Sequence, residues 1–568
     1  MWLSKRRKSP DFPATIPHSR EKSVWEKGAR ELGSLHNAGV DIPPLRPSPL
    51  RNQKVRNQKA KKLRNQKAKK PEGAMSEQPQ VENEPQLTTA KIVFIVIAAA
   101  APLAAIVGTV PLMFAKGNGA GVPGAYILAG ATLILFAFGY AAMARKVANT
   151  GAFYTYVAHG LGKSASVVSA LFAVIAYNAQ TVGIVGGFGF FTYTGLKDSG
   201  ITIPWWSAAL FAIAFVGVLG YRSVDLSAKV LAVLMVLEIA LLALLDIGIL
   251  LKHGLSAFPL TAIAPATVFS AGLPVAILFA FSCFIGFESA ALYAEETRDP
   301  NRSIPRATYS AVIIVGVFYA ITAWEAVGAI GIDGIDNLSN QSSNDIGQLF
   351  FSLMQSYVGD WAKQLMGIML LTSLLAATLA THNAATRYMF ALGREKVLPP
   401  TLGLLHGSHG SPHRASLMQS TFNLTVVAVF AIAGISPYVG LASTMIGLGT
   451  FGIVALQALA AFAIVGFFGK HEGGHWFKTL VAPMVAGLVL TAVVILTALN
   501  FNLLTNSDSV WLNALPLIYV AAAAGGVAYA VFLKRKRPDI YAGIAGGTMR
   551  AVLIGSADTL PGASDDLT

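Results

Sequence analysis

The sequence predicts an all-α polytopic membrane protein with twelve transmembrane helices, and three observations carry that prediction. The 568 residues are 54% hydrophobic and 13% charged, whereas a soluble domain carries about 25% charged residues. Runs of roughly 20 apolar residues recur along the chain, each long enough to cross a ~30 Å hydrocarbon layer as a helix. Lys and Arg between those runs fall mostly on alternate loops, the asymmetry that orients membrane proteins.

In chain order, residues 1–74 come first and hold the charge imbalance. They carry 19 Lys/Arg against 6 Asp/Glu, while the rest of the chain carries 24 against 23. The net charge of +14 therefore belongs to this extension and says nothing about the membrane body. Arg-Asn-Gln-Lys recurs within it from Arg51, Arg56 and Arg64. A stretch so charged and proline-rich cannot bury a core and reads as disordered. It lacks the apolar core and small-residue cleavage site of a signal peptide. One role is a polybasic arm drawn to anionic lipid. A nucleic-acid arm is disfavoured because no aromatic residue interleaves the lysines, so no nucleic-acid partner is expected. The favoured reading makes residues 1–74 an upstream extension without function and Met75 the natural start. Residues 75–90 form a short cytoplasmic segment before the membrane.

Twelve spans follow, near residues 92–115, 122–144, 165–193, 204–220, 230–251, 272–294, 307–331, 362–386, 416–434, 438–468, 479–499 and 511–533. Their apolar residues leave no polar face, as expected of helices surrounded by lipid and other helices. The short alternating segments of a barrel are absent. Eighteen Lys/Arg, from Arg145 to Arg537, fall on one side of these spans. Only Lys116, Lys197, Lys252 and Lys363 fall on the other. Both termini are expected in the cytoplasm, and the membrane is expected to be the plasma membrane. Residues 91–251 and 252–468 make two five-span halves, 469–535 adds spans eleven and twelve, and 536–568 is a cytoplasmic tail. The sole cysteine, Cys283, lies in span six. Alone it excludes an intramolecular disulfide or a cysteine metal cluster, and it reads as a small buried apolar side chain.

Two spans are irregular. Span one, KIVFIVIAAAAPLAAIVGTVPLMFA, holds Pro102, Gly108 and Pro111 in its interior. Proline removes a backbone donor and clashes with the preceding turn, so this helix is expected to kink or unwind. Span six, GLPVAILFAFSCFIGFESAALY, places Ser282, Gly286, Glu288 and Ser289 at mid-membrane. These spans are the first members of the two halves, and interrupted helices at matching places point to a transporter's binding site. The alternative is two ordinary kinks absorbed by packing.

Three stretches then carry a resemblance. Phe284-Ile285-Gly286-Phe287-Glu288, the paired acids Glu295 and Glu296, and Arg302-Ser303-Ile304-Pro305-Arg306-Ala307 form one ordered set. It resembles the span-six-to-seven signature of amino acid–polyamine–organocation (APC) permeases. NTGAFYTYVAHGLG, Asn149 to Gly162, resembles the family's stretch before span three. THNAATRYMFALGREKVLPPTLGLLH, Thr381 to His406, resembles its loop after span eight. The resemblance covers about residues 90–535. It implies a 5+5 inverted-repeat core with helices 1 and 6 broken, two further helices, and movement of amino acids or related amines by alternating access.

A zwitterionic substrate needs exposed helix amides for its carboxylate and exposed carbonyls for its ammonium. Span one would supply amides around Ala105, Gly108 and Thr109, although Val107-Gly108-Thr109 stands where many relatives have glycine-serine-glycine. Span six would supply carbonyls of Ser282, Cys283 and Ile285 around Gly286, with Phe281 or Phe284 as a gate. Glu288 is the sharpest candidate, because a carboxylate near the bilayer centre costs a few kcal/mol and is a functional site by default. The resemblance gives it gating or proton movement; the competing reading is a protonated Glu288 bridging the unwound segments.

In span five, Glu238 occupies the region where proton-coupled relatives often have a lysine that stands in for sodium. It reads as a titrating group or as a partner for another span, while Asp246 reads as solvated near the outer surface. Among Tyr177, Asn178 and Gln180 of span three, Asn178 is the candidate substrate contact. Thr372 and Ser373 read as helix packing, with sodium ligation the alternative. His382 and Asn383 read as packing or gating, and Trp324 with Glu325 as an interfacial anchor. Glu295, Arg298, Arg302 and Arg387 would pair as a cytoplasmic latch, each exposed pair worth only ~0–1 kcal/mol.

No phosphate-binding loop, metalloprotease run or nucleophile elbow is present, so no cofactor or enzymatic activity is expected. The sequence is read as a secondary active importer of an amino acid or amine, coupled to a proton, with sodium as the lesser candidate ion. An exchanger is the first rival. A same-fold sensor is the second, disfavoured because no folded output domain follows Lys536.

Overall fold

Apolar runs interrupted by Pro and Gly dictate helices of unequal length, and helices are what the chain forms. The computed structural model describes residues 88–147, 152–222, 228–288, 300–471, 475–505, 507 and 509–546, and all regular structure among them is helical. Helices of nine or more residues are α1 Thr89–Ala99, α2 Pro102–Lys116, α3 Val122–Ala144, α4 Ala152–Gly160, α5 Lys163–Asp198, α6 Trp205–Tyr221, α7 Ala228–His253 and α8 Leu273–Cys283. There follow α9 Pro300–Ile330, α10 Leu349–Tyr357, α11 Asp360–Arg394, α12 His413–Ile432, α13 Ser443–Phe468, α14 Ala482–Leu499 and α15 Leu517–Lys536. Among the described residues, nine helices are long and apolar enough to cross a membrane; α2, α6 and α8 are shorter apolar helices. This is a polytopic all-helical membrane protein.

The core sits around α5 and α13. In the most apolar windows of these helices, 78% and 72% of residues are buried, against 22% in α15. Side chains such as Phe211 and Val218 on α6, Val233 and Leu237 on α7, and Val520 and Phe532 on α15 are exposed. An apolar exterior of this extent suits lipid rather than water. α5 packs against α4, α6, α11, α13 and α15, while α8 packs against α2, α3, α13 and α14. The pairs α3–α9, α5–α11 and α6–α12 each pack together; these are the second, third and fourth spans of the two expected halves.

Expected spans one and six are both interrupted. α1 stops at Ala99, Ala101 adopts a left-handed conformation (φ 46°, ψ 69°), and α2 restarts at Pro102. Proline at the first helical position lacks only a donor that would be orphaned anyway, yet it forbids continuing α1. α2 then runs through Gly108 and Pro111 without ending. α8 ends at Cys283, and Gly286 takes φ +113°, a conformation that strains any residue with a Cβ.

The expected tail, residues 536–568, starts where α15 ends, and its described residues include a short helix. Beyond α15 this helix, Pro538–Gly543, lies against the start of α5: Lys163 Nζ donates to the Ala542 carbonyl, and Ser164 Oγ lies 3.2 Å from the Tyr541 hydroxyl. Ala545 N donates to Glu395 Oε1 at 3.0 Å, which Tyr154 of α4 also approaches at 3.3 Å. Burial pushes the Glu395 carboxyl above the usual carboxylate range, and those two donors partly offset this.

Candidate functional site

The restarted helix of span one, α2, meets the end of α8, where span six breaks. Thr109 Oγ1 of α2 is 3.1 Å from Cys283 Sγ of α8, and the Tyr126 hydroxyl of α3 is 3.4 Å from the same sulfur. The Ala105 carbonyl accepts from the Thr109 hydroxyl and lies 3.7 Å from Cys283 Sγ. Gly108 is buried; its carbonyl accepts from the Tyr438 hydroxyl at 3.0 Å. Apart from its chain neighbours and its own helix backbone, no atom lies within 4 Å of where its Cβ would project, which leaves open space beside it. The Tyr319 hydroxyl, on a fully buried side chain, has no hydrogen-bond partner among the described residues. It lies close enough to interact with both Cys283 and Glu238.

The break in span one is upstream of the expected position, which corrects the expectation of free amides from Ala105 to Thr109. Those residues are inside α2, and Ala105 N already donates to the Ala101 carbonyl at 2.9 Å. The donors at the start of α2 belong to Leu103 and Ala104, because Pro102 has none. Leu103 N donates to Glu238 Oε2 at 3.2 Å, Ala104 N to Ser373 Oγ at 3.4 Å, and Ser373 Oγ donates to Glu238 Oε2 at 2.9 Å. Glu238 thus caps a helix from another span, with the sign that a helix N-terminus attracts.

Glu288 closes the other break. Its carboxylate accepts from the Tyr177 hydroxyl of α5 at 3.0 Å and from Gly286 N at 3.0 Å. The Tyr140 hydroxyl donates to the Glu288 carbonyl at 3.0 Å, and Tyr177 stacks on Tyr388 of α11 with ring centres 5.6 Å apart. Glu288 therefore ties the unwound part of span six to α3 and α5. Ser282 Oγ accepts from Gln180 Nε2 at 3.1 Å, and Gln180 Oε1 receives Thr450 Oγ1 at 3.4 Å. The Ile285 amide is taken up by the Ser282 carbonyl at 3.2 Å.

Other expected residues lie elsewhere. Asn178 donates back to the Val174 carbonyl of its own helix at 2.7 Å, so it is occupied locally. Phe281 is buried in α8, whereas the Phe284 ring fills the seam between Gly130 of α3 and Gly316 of α9. Thr372 donates to its own helix at Met369, and His382 Nε2 lies 2.9 Å from Ser416 Oγ. Arg302 and Arg387 are exposed at the start of α9 and on α11. Glu295 and Arg298 of the expected latch lie outside the described residues. A contact the sequence did not announce, Thr89 Oγ1 to Ser303 Oγ at 2.9 Å, joins α1 to α9.

Asp246 and Glu325 require correction. Neither is solvated: Asp246 is 9% exposed and Glu325 2%. Thr322 Oγ1 donates to Asp246 Oδ2 at 2.8 Å, but Asp246 Oδ1 and Glu325 Oε2 have no partner among the described residues. The two carboxylates are near enough to repel each other. The expectation that Asp246 is solvated fails because α7 and α9 pack against each other, and Thr322 of α9 meets the Asp246 carboxylate. Trp324 keeps its expected end-of-helix place, donating to the Pro259 carbonyl at 2.9 Å. Replacing one of these two acids by an amide of the same shape removes the repulsion between the two buried carboxylates. Glu325→Gln is therefore expected to raise the unfolding midpoint in detergent; an unchanged or lower midpoint contradicts it.

A family described as amino acid permease matches residues 87–523 of the chain. The low-affinity putrescine importer PlaP of Escherichia coli (strain K12) is 24% identical over 385 residues, which cover 66% of this chain and 80% of that protein. The branched-chain amino acid permease BcaP of Bacillus subtilis (strain 168) is 21% identical over 412 residues, 68% of this chain and 83% of that protein. Cationic amino acid transporter 5 of Arabidopsis thaliana is 27% identical over 162 residues, 28% of this chain and 26% of its own length.

Proposed function

The chain belongs to the amino acid permease family, and on that premise we propose that it imports an amino acid or related amine across the plasma membrane by alternating access, coupled to a proton. One observation carries the reading: two broken helices meet at Thr109 and Cys283, with two carboxylates, the buried Glu238 and the half-buried Glu288, beside the breaks. Irregular backbone at membrane depth persists where it is buried in protein or lines a cavity, and broken helices at corresponding positions of two halves are the pointer to a transporter's site.

The proposed architecture has twelve spans, the first ten in a 5+5 inverted repeat. The pairing of α3 with α9, α5 with α11 and α6 with α12 supports it, as does the matching of the breaks. The end rich in arginine is taken as cytoplasmic, following the excess of Lys and Arg there. Closure on that side is proposed to use the Thr89–Ser303 contact together with Arg302 and Arg387, and with Glu295 and Arg298 as the acidic and basic partners expected from sequence. Proton rather than sodium coupling is favoured because Glu238 and Ser373 hydrogen-bond each other where a sodium ion would need free oxygens.

The purified chain in proteoliposomes is expected to accumulate a labelled amino acid or amine several-fold when the outside is made acidic. A protonophore should abolish that accumulation. Flux that ignores the gradient but demands internal substrate would convert the reading to an exchanger.

A further inference from the structure

We infer that the transported substrate is a primary amine without a carboxylate, not an α-amino acid; this rests on the transport reading above. A zwitterion needs a donor surface for its carboxylate, and at a broken helix that surface is the first turn of the restarting helix. In α2 each of those donors is already used. Pro102 has no N–H, Leu103 N meets Glu238, Ala104 N meets Ser373, and Ala105 N meets the Ala101 carbonyl. The protein's own carboxylate, Glu238, stands where a substrate carboxylate would sit, and Ser373 holds it there at 2.9 Å.

The charge at the breaks runs the same way. Among the described residues, Glu238 and Glu288 are the ionisable acids beside them, and the side chains that contact the two broken helices include Ser373, Tyr126, Tyr177, Tyr140, Gln180 and Tyr438. None is cationic. A further carboxylate in this low-dielectric region would meet repulsion from these acids, with no cation among those side chains to neutralise it. An ammonium finds the opposite: Glu238, the unpartnered Tyr319 hydroxyl near it, and the Tyr126 and Tyr319 rings 5.7 Å apart. Aromatic faces and a carboxylate are the surroundings that bind ammonium groups. The open space beside Gly108 leaves room next to these groups for a substrate atom.

The test uses the full chain in proteoliposomes and pairs of compounds that differ only by the carboxylate. Suitable pairs are lysine with 1,5-diaminopentane, leucine with 3-methylbutan-1-amine, and tyrosine with tyramine. Binding is read by thermal stabilisation and transport by labelled uptake. In at least one pair the amine is expected to bind at a concentration tenfold or more below that of its parent amino acid, and to be the member that moves. If an amino acid binds and moves as well as its amine, or better, the inference is overturned while the transport reading stands. If neither member of any pair binds or moves, the transport reading fails and takes the inference with it.

Discussion

Glu288→Gln is expected to lower gradient-driven uptake at least tenfold, about 1.4 kcal/mol at the transport step, while the protein still inserts and folds. The carboxylate receives two donors, the Tyr177 hydroxyl and Gly286 N, each at 3.0 Å. Whichever way a glutamine amide turns, one donor faces its NH2 group instead of an oxygen. Hydrogen bonds to a charged group contribute about 1.5–3 kcal/mol, so the turn held by Gly286 loosens from α5. Glu288→Ala removes both acceptors and is expected to abolish uptake. Counterflow separates the roles of this side chain. If Glu288→Gln keeps exchange of internal for external substrate but loses accumulation against a gradient, the coupling proton resides on Glu288. If it loses both, the carboxylate is needed to organise the break. Unchanged exchange and accumulation together would remove Glu288 from the site.

That Glu288 would need partners was readable from its cost: a carboxylate inside an apolar run must have them, even when the sequence does not name them, and Tyr177 and Gly286 supply them. Helices were equally plain, since runs of that length and apolarity have few other structures in a membrane. The register of the first break was not. Pro102, Gly108 and Pro111 are all capable of interrupting a helix, and what decides among them is remote. Glu238 and Ser373, far along the chain, meet the amides of Leu103 and Ala104, and no local pattern announces such a pairing. Asn178 misled for a different reason, because a short polar side chain in a helix often satisfies itself on the preceding turn, as it does at Val174. Asp246 misled because solvation was inferred from its place near a helix end, whereas its burial comes from the facing helix α9. Tyr126, Tyr140 and Tyr319 were not singled out, although a hydroxyl in an apolar span always raises the question of its partner.

Glu238→Ala is the substitution expected to change what the protein accepts. With alanine there, Leu103 N loses its acceptor and Ser373 loses the oxygen it donates to. Leaving a buried donor unsatisfied costs about 1–3 kcal/mol, comparable to removing a helix N-cap, so some loss of thermal stability is expected. The freed amide then sits at the positive end of a 15-residue helix with no anion of its own. A substrate carboxylate can fill that place and restore the missing acceptor, so amino acids should stabilise this variant more than they stabilise the unmodified protein. Amines lose the carboxylate that attracts them and should bind at least tenfold more weakly. Preference within each amino acid and amine pair is therefore expected to shift toward the amino acid. Glu238→Gln keeps an acceptor oxygen for Leu103 N but drops the charge; it should weaken amines without gaining amino acids, because the amide remains capped. A Glu238→Ala protein that folds and keeps the original preference would show that α2 does not meet the substrate. Equal losses of both compounds from the alanine and glutamine variants would make the charge of Glu238, and not its cap on Leu103, the feature that matters.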